Sequence, residues 1–316
     1  MSFYKLAEGA ILGFVVADAL GVPAEFQSRE KLKIEPITDM VGGGAHGQVP
    51  GTWSDDSSMT LGMIDSLAEN GIDYNDQMMR FADWLWKAKY TAHDEVFDVG
   101  GATKSAIFKF VKGTESLMCG GIAENSCGNG SLMRILPLAL YLVKEKNATE
   151  LTDAIATIIH DTSKCTHAHP RCLIACGIYC SVVFHLCCGT DLKSAIKEGV
   201  DSALAYYENK DEFKGVYHEF LHLKGIENAE EDQIGSTGFV IHTLEASLWC
   251  LLTTGNYRDC VLRAVNLGSD TDTTAAVAGG LAGLWYGCEQ IGEEWIEMTA
   301  KTDLIKQMVK EFAGEF

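Results

Sequence analysis

The chain of 316 residues contains only five prolines and no run of basic residues. Because proline breaks a helix interior, so few prolines leave long stretches free to form helices. Lys and Arg number 25 against 44 Asp and Glu, which gives a formal net charge of -19. A chain this acidic is not expected to bind nucleic acid or an anionic lipid surface through its charge. Neither nucleic acid nor a membrane is therefore predicted as a partner.

Paired cysteines are also missing, since the 11 cysteines form no C-x-x-C motif and their number is odd. A disulfide framework is not expected, and a reducing cytoplasm is the predicted location. Cys172, Cys176, Cys180 and Cys187 recur at helical spacing, with Cys188 beside the last. This spacing predicts a buried stripe of small apolar side chains rather than a metal site.

Two apolar stretches are similar to a signal peptide and to a membrane-spanning helix, but each departs from the expected pattern. The first, KLAEGAILGFVVADAL, contains Glu8 and Asp18, which interrupt the pattern of a signal peptide. The second, CLIACGIYCSVVFHLCC, is 17 residues long and contains Ser181 and His185. We predict a helix buried on all sides for the second stretch and no transmembrane anchor.

Apolar residues recur at i, i+3 and i+4 along most of the chain, and no set of alternating strands is found. The pattern predicts an all-α protein with one compact domain over residues 1–316. Helices are predicted over residues 3–20, 57–70, 76–90, 100–111, 131–145, 150–160, 170–188, 192–207, 240–254, 257–266, 273–290 and 293–312. Glycine-rich loops at 42–51, 119–131 and 235–238 fall between these helices, where functional residues are often found.

Two clusters of carboxylates and hydroxyls each stand at the start of a predicted helix. Their residues are Ser54, Asp55 and Asp56 in GTWSDDSSM, and Asp270, Asp272 and Thr273 in NLGSDTDTT. Two independent helix N-caps would account for them. If the clusters met in space, carboxylates that close would take up protons or bind a cation. The oxygen ligands would then favour Mg²⁺, Mn²⁺ or Ca²⁺ over zinc, in a site for two ions. The spacing of the two clusters does not decide between independent N-caps and a joint metal site.

A third feature is the segment NSCGNGSLMR, in which Gly128 and Gly130 flank Asn129 before an apolar run. Backbone N–H groups of such a loop and the following helix N-terminus suit a phosphate. A glycine-rich turn with only a structural role is the alternative.

The segment HEFLH has the H-E-x-x-H spacing of a zinc protease, with His218, Glu219 and His222. Gly225 extends the likeness, but Asn228 stands where the longer metzincin motif has its third histidine. The segment is rich in charge and no third ligand is found. A solvated helix with two histidines is therefore favoured over a zinc site.

With these segments identified, the chain resembles the ADP-ribosylglycohydrolase family, particularly its dinitrogenase reductase-activating branch. The likeness covers almost the whole length and rests on seven segments in the family's order. They are GAILGFVVADALGVPAEF (9–26), GTWSDDSSM (51–59), FDVGGAT (97–103), GNGSLMRILPLAL (128–140), CTHAHP (165–170), STGFVIHTLEASLW (236–249) and VNLGSDTDTTAAVAGGLAGLWYG (265–287).

The resemblance implies an orthogonal all-α domain that works as a monomer and holds two Mg²⁺ ions, with Mn²⁺ as a substitute. The implied metal ligands are Ser54, Asp55, Asp56, Asp270, Asp272 and Thr273. The implied substrate-binding residues are Gly100, Gly128, Asn129, Gly130, Ser131, His167, Gly238 and Phe239. Asp55 or Asp56 is expected to act as the base, and Glu25 or Asp98 to meet the leaving group.

The implied reaction is hydrolysis of the N-glycosidic bond between ADP-ribose and an arginine of a modified protein, with ADP-ribose as product. The alternatives are a hydrolase of serine-linked or free ADP-ribose derivatives, and an ADP-ribose-binding protein without activity. The chain departs from the family pattern at Ser54 for Thr, Phe239 for Tyr, Gly101 for Asn and His242 for Asp. The last two departures bear on substrate detail rather than on the reaction class.

Overall fold

A computed structural model describes residues 2–314, and no β-strand forms among them. Met1, Glu315 and Phe316, over which the single-domain prediction also extends, lie outside the described residues. The α-helices are α1 Phe3–Gly21, α2 Arg29–Ile34, α3 Asp55–Asn70, α4 Tyr74–Lys87, α5 Gly101–Val111, α6 Leu136–Lys146, α7 Asp153–Lys164, α8 Pro170–Cys188, α9 Leu192–Glu208, α10 Val240–Leu252, α11 Tyr257–Asn266, α12 Thr271–Tyr286, α13 Glu293–Met298 and α14 Thr302–Ala313. The predicted all-α class is confirmed.

Helices α1 and α12 form the centre of the hydrophobic core, and glycines bring their backbones together. A Cβ on Gly283 would lie 2.1 Å from the carbonyl oxygen of Gly9, and one on Gly13 would lie 2.6 Å from that of Gly279. No side chain fits in such a gap, which explains the Ala and Gly run after the second acidic cluster. This close packing places the start of α12 beside the end of α1.

Two helical segments, Phe3–Ala24 and Pro170–Cys188, are long and apolar enough to cross a membrane by length and composition. Within the structure, however, 94% and 78% of their most apolar windows are buried, as in core helices. Cys172, Cys176 and Cys180 are buried, whereas Cys187 is partly exposed and Cys188 is exposed. All 11 cysteines are free thiols. The predicted buried stripe is confirmed for Cys172, Cys176 and Cys180.

Helix ends differ from the prediction at several places. The single helix predicted over 293–312 is wrong, since α13 and α14 are separated by residues 299–301. Lys301 adopts a left-handed φ of 51°, and the N–H of Ala300 donates to the carbonyl of Gly51. The break therefore supports the loop that leads into the first acidic cluster. Helix α6 begins at Leu136 rather than at 131, because proline at 137 marks its first turn and residues 131–134 form a tight turn.

Candidate active site

The two acidic clusters lie next to each other in the folded chain. Ser54 precedes α3 and Asp270 precedes α12, so each cluster occupies a helix N-terminus. Carboxylate oxygens of Asp18, Asp56 and Asp272 lie within 4.8 Å of one another. The two clusters therefore do come together in space, which the sequence had left open, and α1 adds a third carboxylate.

Helix capping explains only one of these side chains. The hydroxyl of Ser54 accepts a hydrogen bond from the N–H of Asp56 at 3.2 Å and so caps α3. Asp270 accepts no hydrogen bond from the first turn of α12; its Oδ2 instead accepts one from Asn129 Nδ2 at 2.9 Å. The remaining carboxylates are not required as caps, and the two-cap alternative does not account for them.

These carboxyls are buried and short of hydrogen-bond partners. Asp56 and Asp272 are 0% and 1% exposed, and Asp56 Oδ1 and both oxygens of Asp272 have no partner. Burial, reinforced by neighbouring carboxylates, raises the pKa values of Asp55, Asp56 and Asp272 well above the usual range. An unpaired buried carboxylate is costly, so the cluster must hold protons or a cation. The donor set consists of oxygen atoms, which fits Mg²⁺ or Mn²⁺.

Asp18 is a member of this centre that the sequence reasoning missed. Its carboxylate accepts hydrogen bonds from the N–H groups of Ser54 and Ser57, each at 3.0 Å, and from the Ser57 hydroxyl at 2.5 Å. Burial raises the pKa of Asp18 to about 6, although these hydrogen bonds oppose the shift. Asp18 therefore fixes the start of α3 and faces the other carboxylates. A carboxylate near the C-terminal end of an apolar helix was the available signal.

A cleft of about 430 Å³ opens above the acidic centre, a volume typical of small-molecule sites. Among the residues predicted for the site, eleven line it: Glu25, Asp55, Asp98, Gly100, Gly128, Asn129, Gly130, His167, Gly238, Asp270 and Thr273. Ser54, Asp56 and Asp272 are buried and do not line the cleft. The cleft therefore has a carboxylate floor and a glycine-rich wall.

The glycine-rich wall is formed by two loops that bind each other. The N–H of Asn129 donates to the carbonyl of Gly238 at 3.0 Å, and that of Val240 donates to Cys127 at 2.9 Å. A Cβ on Gly130 would lie 2.7 Å from the ring of His167, so glycine is required for this approach. The loop is thus more than a turn, since it brings backbone groups and an imidazole to the same wall of the cleft.

Two consecutive hydrogen bonds on the core side of His167, from Arg134 to Thr166 and between Thr166 and His167, fix the position of its ring. Fully buried Arg134 donates to Thr166 Oγ1 at 2.8 Å, and Thr166 Oγ1 lies 2.9 Å from His167 Nδ1. The Thr166 hydroxyl can accept from the guanidinium and donate its own hydrogen to Nδ1, and in that arrangement Nε2 carries the proton and is a donor to the cleft. Burial and the charge of Arg134 lower the pKa of His167 to about 3, so the ring is neutral at physiological pH.

Two predicted binding residues lie away from the cleft lining. Ser131 is fully buried, and its hydroxyl accepts from Ser163 at 2.8 Å and lies 3.6 Å from the Cys176 sulfur. Its side chain supports the turn from the core. Phe239 precedes α10, and its ring contacts that of His242 edge-on at 5.1 Å.

A family model described as ADP-ribosylglycohydrolase matches residues 2–316. The chain belongs to this family. Over 308 residues it is 30% identical to the ADP-ribosylarginine hydrolase Tri1 of Pseudomonas putida, covering 96% of this chain and 77% of that protein. It is 29% identical to the ADP-ribosyl-[dinitrogen reductase] glycohydrolase of Rhodospirillum rubrum, covering 97% and 95%. A solved structure described as an ADP-ribosylglycohydrolase-related protein complex aligns over 99% of both chains, with a TM-score of 0.78 and 26% identity.

Within the cleft lining, Glu25 and Asp98 are joined by a histidine from the 42–51 loop. His46 Nε2 lies 2.5 Å from Glu25 Oε2, and ligating atoms of Glu25, His46 and Asp98 all lie within 4.8 Å of one another. Burial, and then the charges of Asp98 and Asp270, raise the pKa of Glu25 to about 9. Sequence reasoning missed His46, since only the folded loop brings it to Glu25.

The H-E-x-x-H segment does not form a metal site, because its residues bind different partners. The guanidinium of Arg171 donates to both carboxylate oxygens of Glu219, each at 2.7 Å, while His222 Nε2 lies 2.7 Å from Glu245 Oε2. The segment Tyr217–Leu223 is a 3₁₀ helix, in which positions four apart do not share a face. The motif therefore serves to hold surface segments together.

Proposed function

We propose that the chain hydrolyses the N-glycosidic bond between ADP-ribose and a protein arginine, with two Mg²⁺ ions as cofactor. The observation that carries the proposal is the convergence of buried, unpartnered carboxylates beneath a cleft of nucleotide size. The relatives named ADP-ribosylarginine hydrolase and ADP-ribosyl-[dinitrogen reductase] glycohydrolase support the substrate class.

The ions would be held by the side chains of the two helix N-termini, Ser54, Asp55, Asp56, Asp270, Asp272 and Thr273. Divalent ions bound there would supply positive charge that orients the ribose hydroxyls and lowers the pKa of water. Asp18 would support this set by fixing the backbone of Ser54 and Ser57. The helix N-termini add positive ends of dipoles at the same place.

We assign the two proton transfers to two different carboxyls that line the cleft. Asp55 is better placed than Asp56 to accept the proton of the attacking water, because Asp55 lines the cleft and Asp56 does not. The C1′–N bond breaks as the water oxygen bonds to C1′, and the leaving guanidine gains a proton. Glu25 is suited to supply it, since it lines the cleft, is 4% exposed, and burial is the largest cause of its raised pKa. His167 and the 128–130 loop bind the diphosphate and ribose.

The test is release of ADP-ribose from proteins modified on arginine or on serine, each with Mg²⁺ and with a chelator. We expect release from the arginine adduct that the chelator abolishes and added Mg²⁺ restores. Release from the serine adduct alone would replace the proposed linkage with an O-glycosidic one. Tight binding of ADP-ribose without release from either substrate would instead indicate a binding protein.

Replacing Thr166 with valine is expected to weaken ADP-ribose binding about tenfold, because His167 loses the partner that fixes its tautomer. Thr166→Ser keeps the hydroxyl and is expected to retain the natural affinity. Calorimetric titration of ADP-ribose into both variants measures the effect. An unchanged dissociation constant for Thr166→Val would show that the Thr166 hydroxyl does not orient His167.

A further inference from the structure

Three aromatic rings form a rim at the end of the cleft where Glu25 and Asp98 lie. We call Phe26, His46 and Phe97 the aromatic rim. The His46 ring lies between the other two, with its centroid 5.8 Å from that of Phe26 and 5.1 Å from that of Phe97. Phe26 lines the cleft and is 67% exposed, although a phenylalanine is more stable when buried. Phe26 therefore presents aromatic surface to whatever enters the cleft, and His46 and Phe97 continue the aromatic cluster behind it.

The backbone holds this end of the cleft in an unusual conformation. Phe26 has a φ of 65° and Asp98 a φ of 45°, both in the left-handed region that bulky residues rarely adopt. Reciprocal hydrogen bonds fix the first of them, since Phe26 N–H donates to Ser269 and Ser269 N–H donates to Gln27, each at 2.7 Å. Such strain persists where surrounding contacts impose it, and it is concentrated at binding sites.

Carboxyls and aromatic rings are in direct contact here. His46 bonds to Glu25, and its ring packs at a tilt of 54° against Phe26 and of 49° against Phe97, so one side chain joins the acidic pair to the phenylalanines. Glu25 is 4% exposed and Asp98 is partly buried, and both line the cleft. Aromatic faces and the charge of the Asp98 carboxylate each attract a planar cation, and the carbonyl oxygen of the Glu25 carboxyl accepts hydrogen bonds from its N–H groups. Together they favour a guanidinium over an ammonium or a neutral group.

We infer that the aromatic rim, with Glu25 and Asp98, binds the guanidinium of the arginine leaving group and selects arginine-linked substrates. The inference rests on the proposed hydrolase function and adds the residues that determine linkage. A serine adduct has a small neutral leaving group, which gains little from aromatic faces or from carboxylates. The rim acts on the leaving group rather than on ADP-ribose.

The test compares three forms of the full chain, each with Mg²⁺. In the double variant Phe26→Leu/Phe97→Leu, apolar bulk remains but both aromatic faces are lost. Phe26→Tyr/Phe97→Tyr keeps the faces and serves as the conservative variant. Phe108→Leu, which removes an exposed ring 5.4 Å from Trp86 on the outer surface, is the matched control. The measurements are kcat and KM on an arginine-modified protein, the dissociation constant of ADP-ribose and the melting temperature.

For the leucine double variant we expect KM for the arginine adduct to rise about tenfold, while kcat and ADP-ribose affinity stay within about twofold. The tyrosine variant and Phe108→Leu are expected to match the natural chain. An unchanged KM in the leucine variant, or an equal loss of ADP-ribose affinity, would overturn the rim inference while the hydrolase proposal stands. A natural chain that is inactive on the arginine adduct would overturn both.

Discussion

Asp272→Asn is expected to lower kcat/KM for Mg²⁺-dependent ADP-ribose release on the order of 10³-fold. Asp272 lies at the first turn of α12, and neither of its carboxylate oxygens has a hydrogen-bond partner. An amide keeps the shape of the side chain but removes its charge and one oxygen ligand. Since a metal ion contributes several kcal/mol of transition-state stabilisation, losing its ligand accounts for an effect of this size.

A second readout separates metal binding from catalysis. Without Mg²⁺, burial raises the pKa of Asp272, so the folded state holds its proton more tightly than the unfolded chain. As the pH rises above the pKa of Asp272 in the unfolded chain, this residue therefore lowers the stability of the metal-free folded state. Asparagine does not titrate, so the variant does not lose this stability. We expect the metal-free variant to melt above the metal-free natural chain. Mg²⁺ at 100 times its dissociation constant should stabilise the natural chain by about 2.7 kcal/mol and should not stabilise Asp272→Asn.

Asp201→Asn is the matched control, because this carboxylate lies on the surface beside Lys197. It is expected to keep both the activity and the melting shift with Mg²⁺. Scanning calorimetry with and without Mg²⁺, followed by steady-state kinetics, covers all three proteins. If Asp272→Asn retained the melting shift, Mg²⁺ would still bind without the Asp272 carboxylate, and Asp272 would not be a required metal ligand.

The acidic centre could be predicted because each cluster combines carboxylates with a helix start, a pattern local to a few residues. Asp56 and Asp272 were both identified in this way, and the fold brings them together. Asp18 and His46 were missed for the opposite reason: their partners come from distant segments. An acidic residue in an apolar helix and a histidine in a glycine-rich loop have many structural explanations, and only tertiary contacts distinguish among them.

Helix content was predictable from periodicity, whereas helix ends depended on tertiary contacts. The break at residues 299–301 forms where a Cβ on Gly51 would lie 1.9 Å from the carbonyl of Met298. That approach requires glycine at 51 and an interrupted helix at Lys301. Nothing in the apolar pattern of residues 293–312 indicates such an interruption. The loop before the first acidic cluster therefore determines the structure of a segment almost 250 residues later.

Gly21→Ala is expected to destabilise the chain by about 3 kcal/mol and to lower kcat/KM on the order of 10²-fold. Gly21 ends α1 in ordinary helical geometry, so alanine is not excluded by its backbone angles. A Cβ there, however, would lie 2.3 Å from the Cα of Asp272 and 2.5 Å from its nitrogen. Because these are backbone atoms, they cannot move aside as a flexible side chain could. The first turn of α12, which contains Asp272, must therefore shift.

Gly62→Ala provides the comparison, since Gly62 lies within α3, which also contributes a carboxylate to the acidic centre. Its nearest neighbour for a new Cβ is the Tyr90 ring at 3.5 Å, an ordinary contact. Alanine in a helix reduces the entropy of the unfolded chain, so this variant is expected to gain about 0.5 kcal/mol and keep full activity. Thermal melts and kinetics on both variants test whether the α1–α12 approach sets the geometry of the carboxylates. Equal behaviour of the two variants would mean that α12 can shift without disturbing the site.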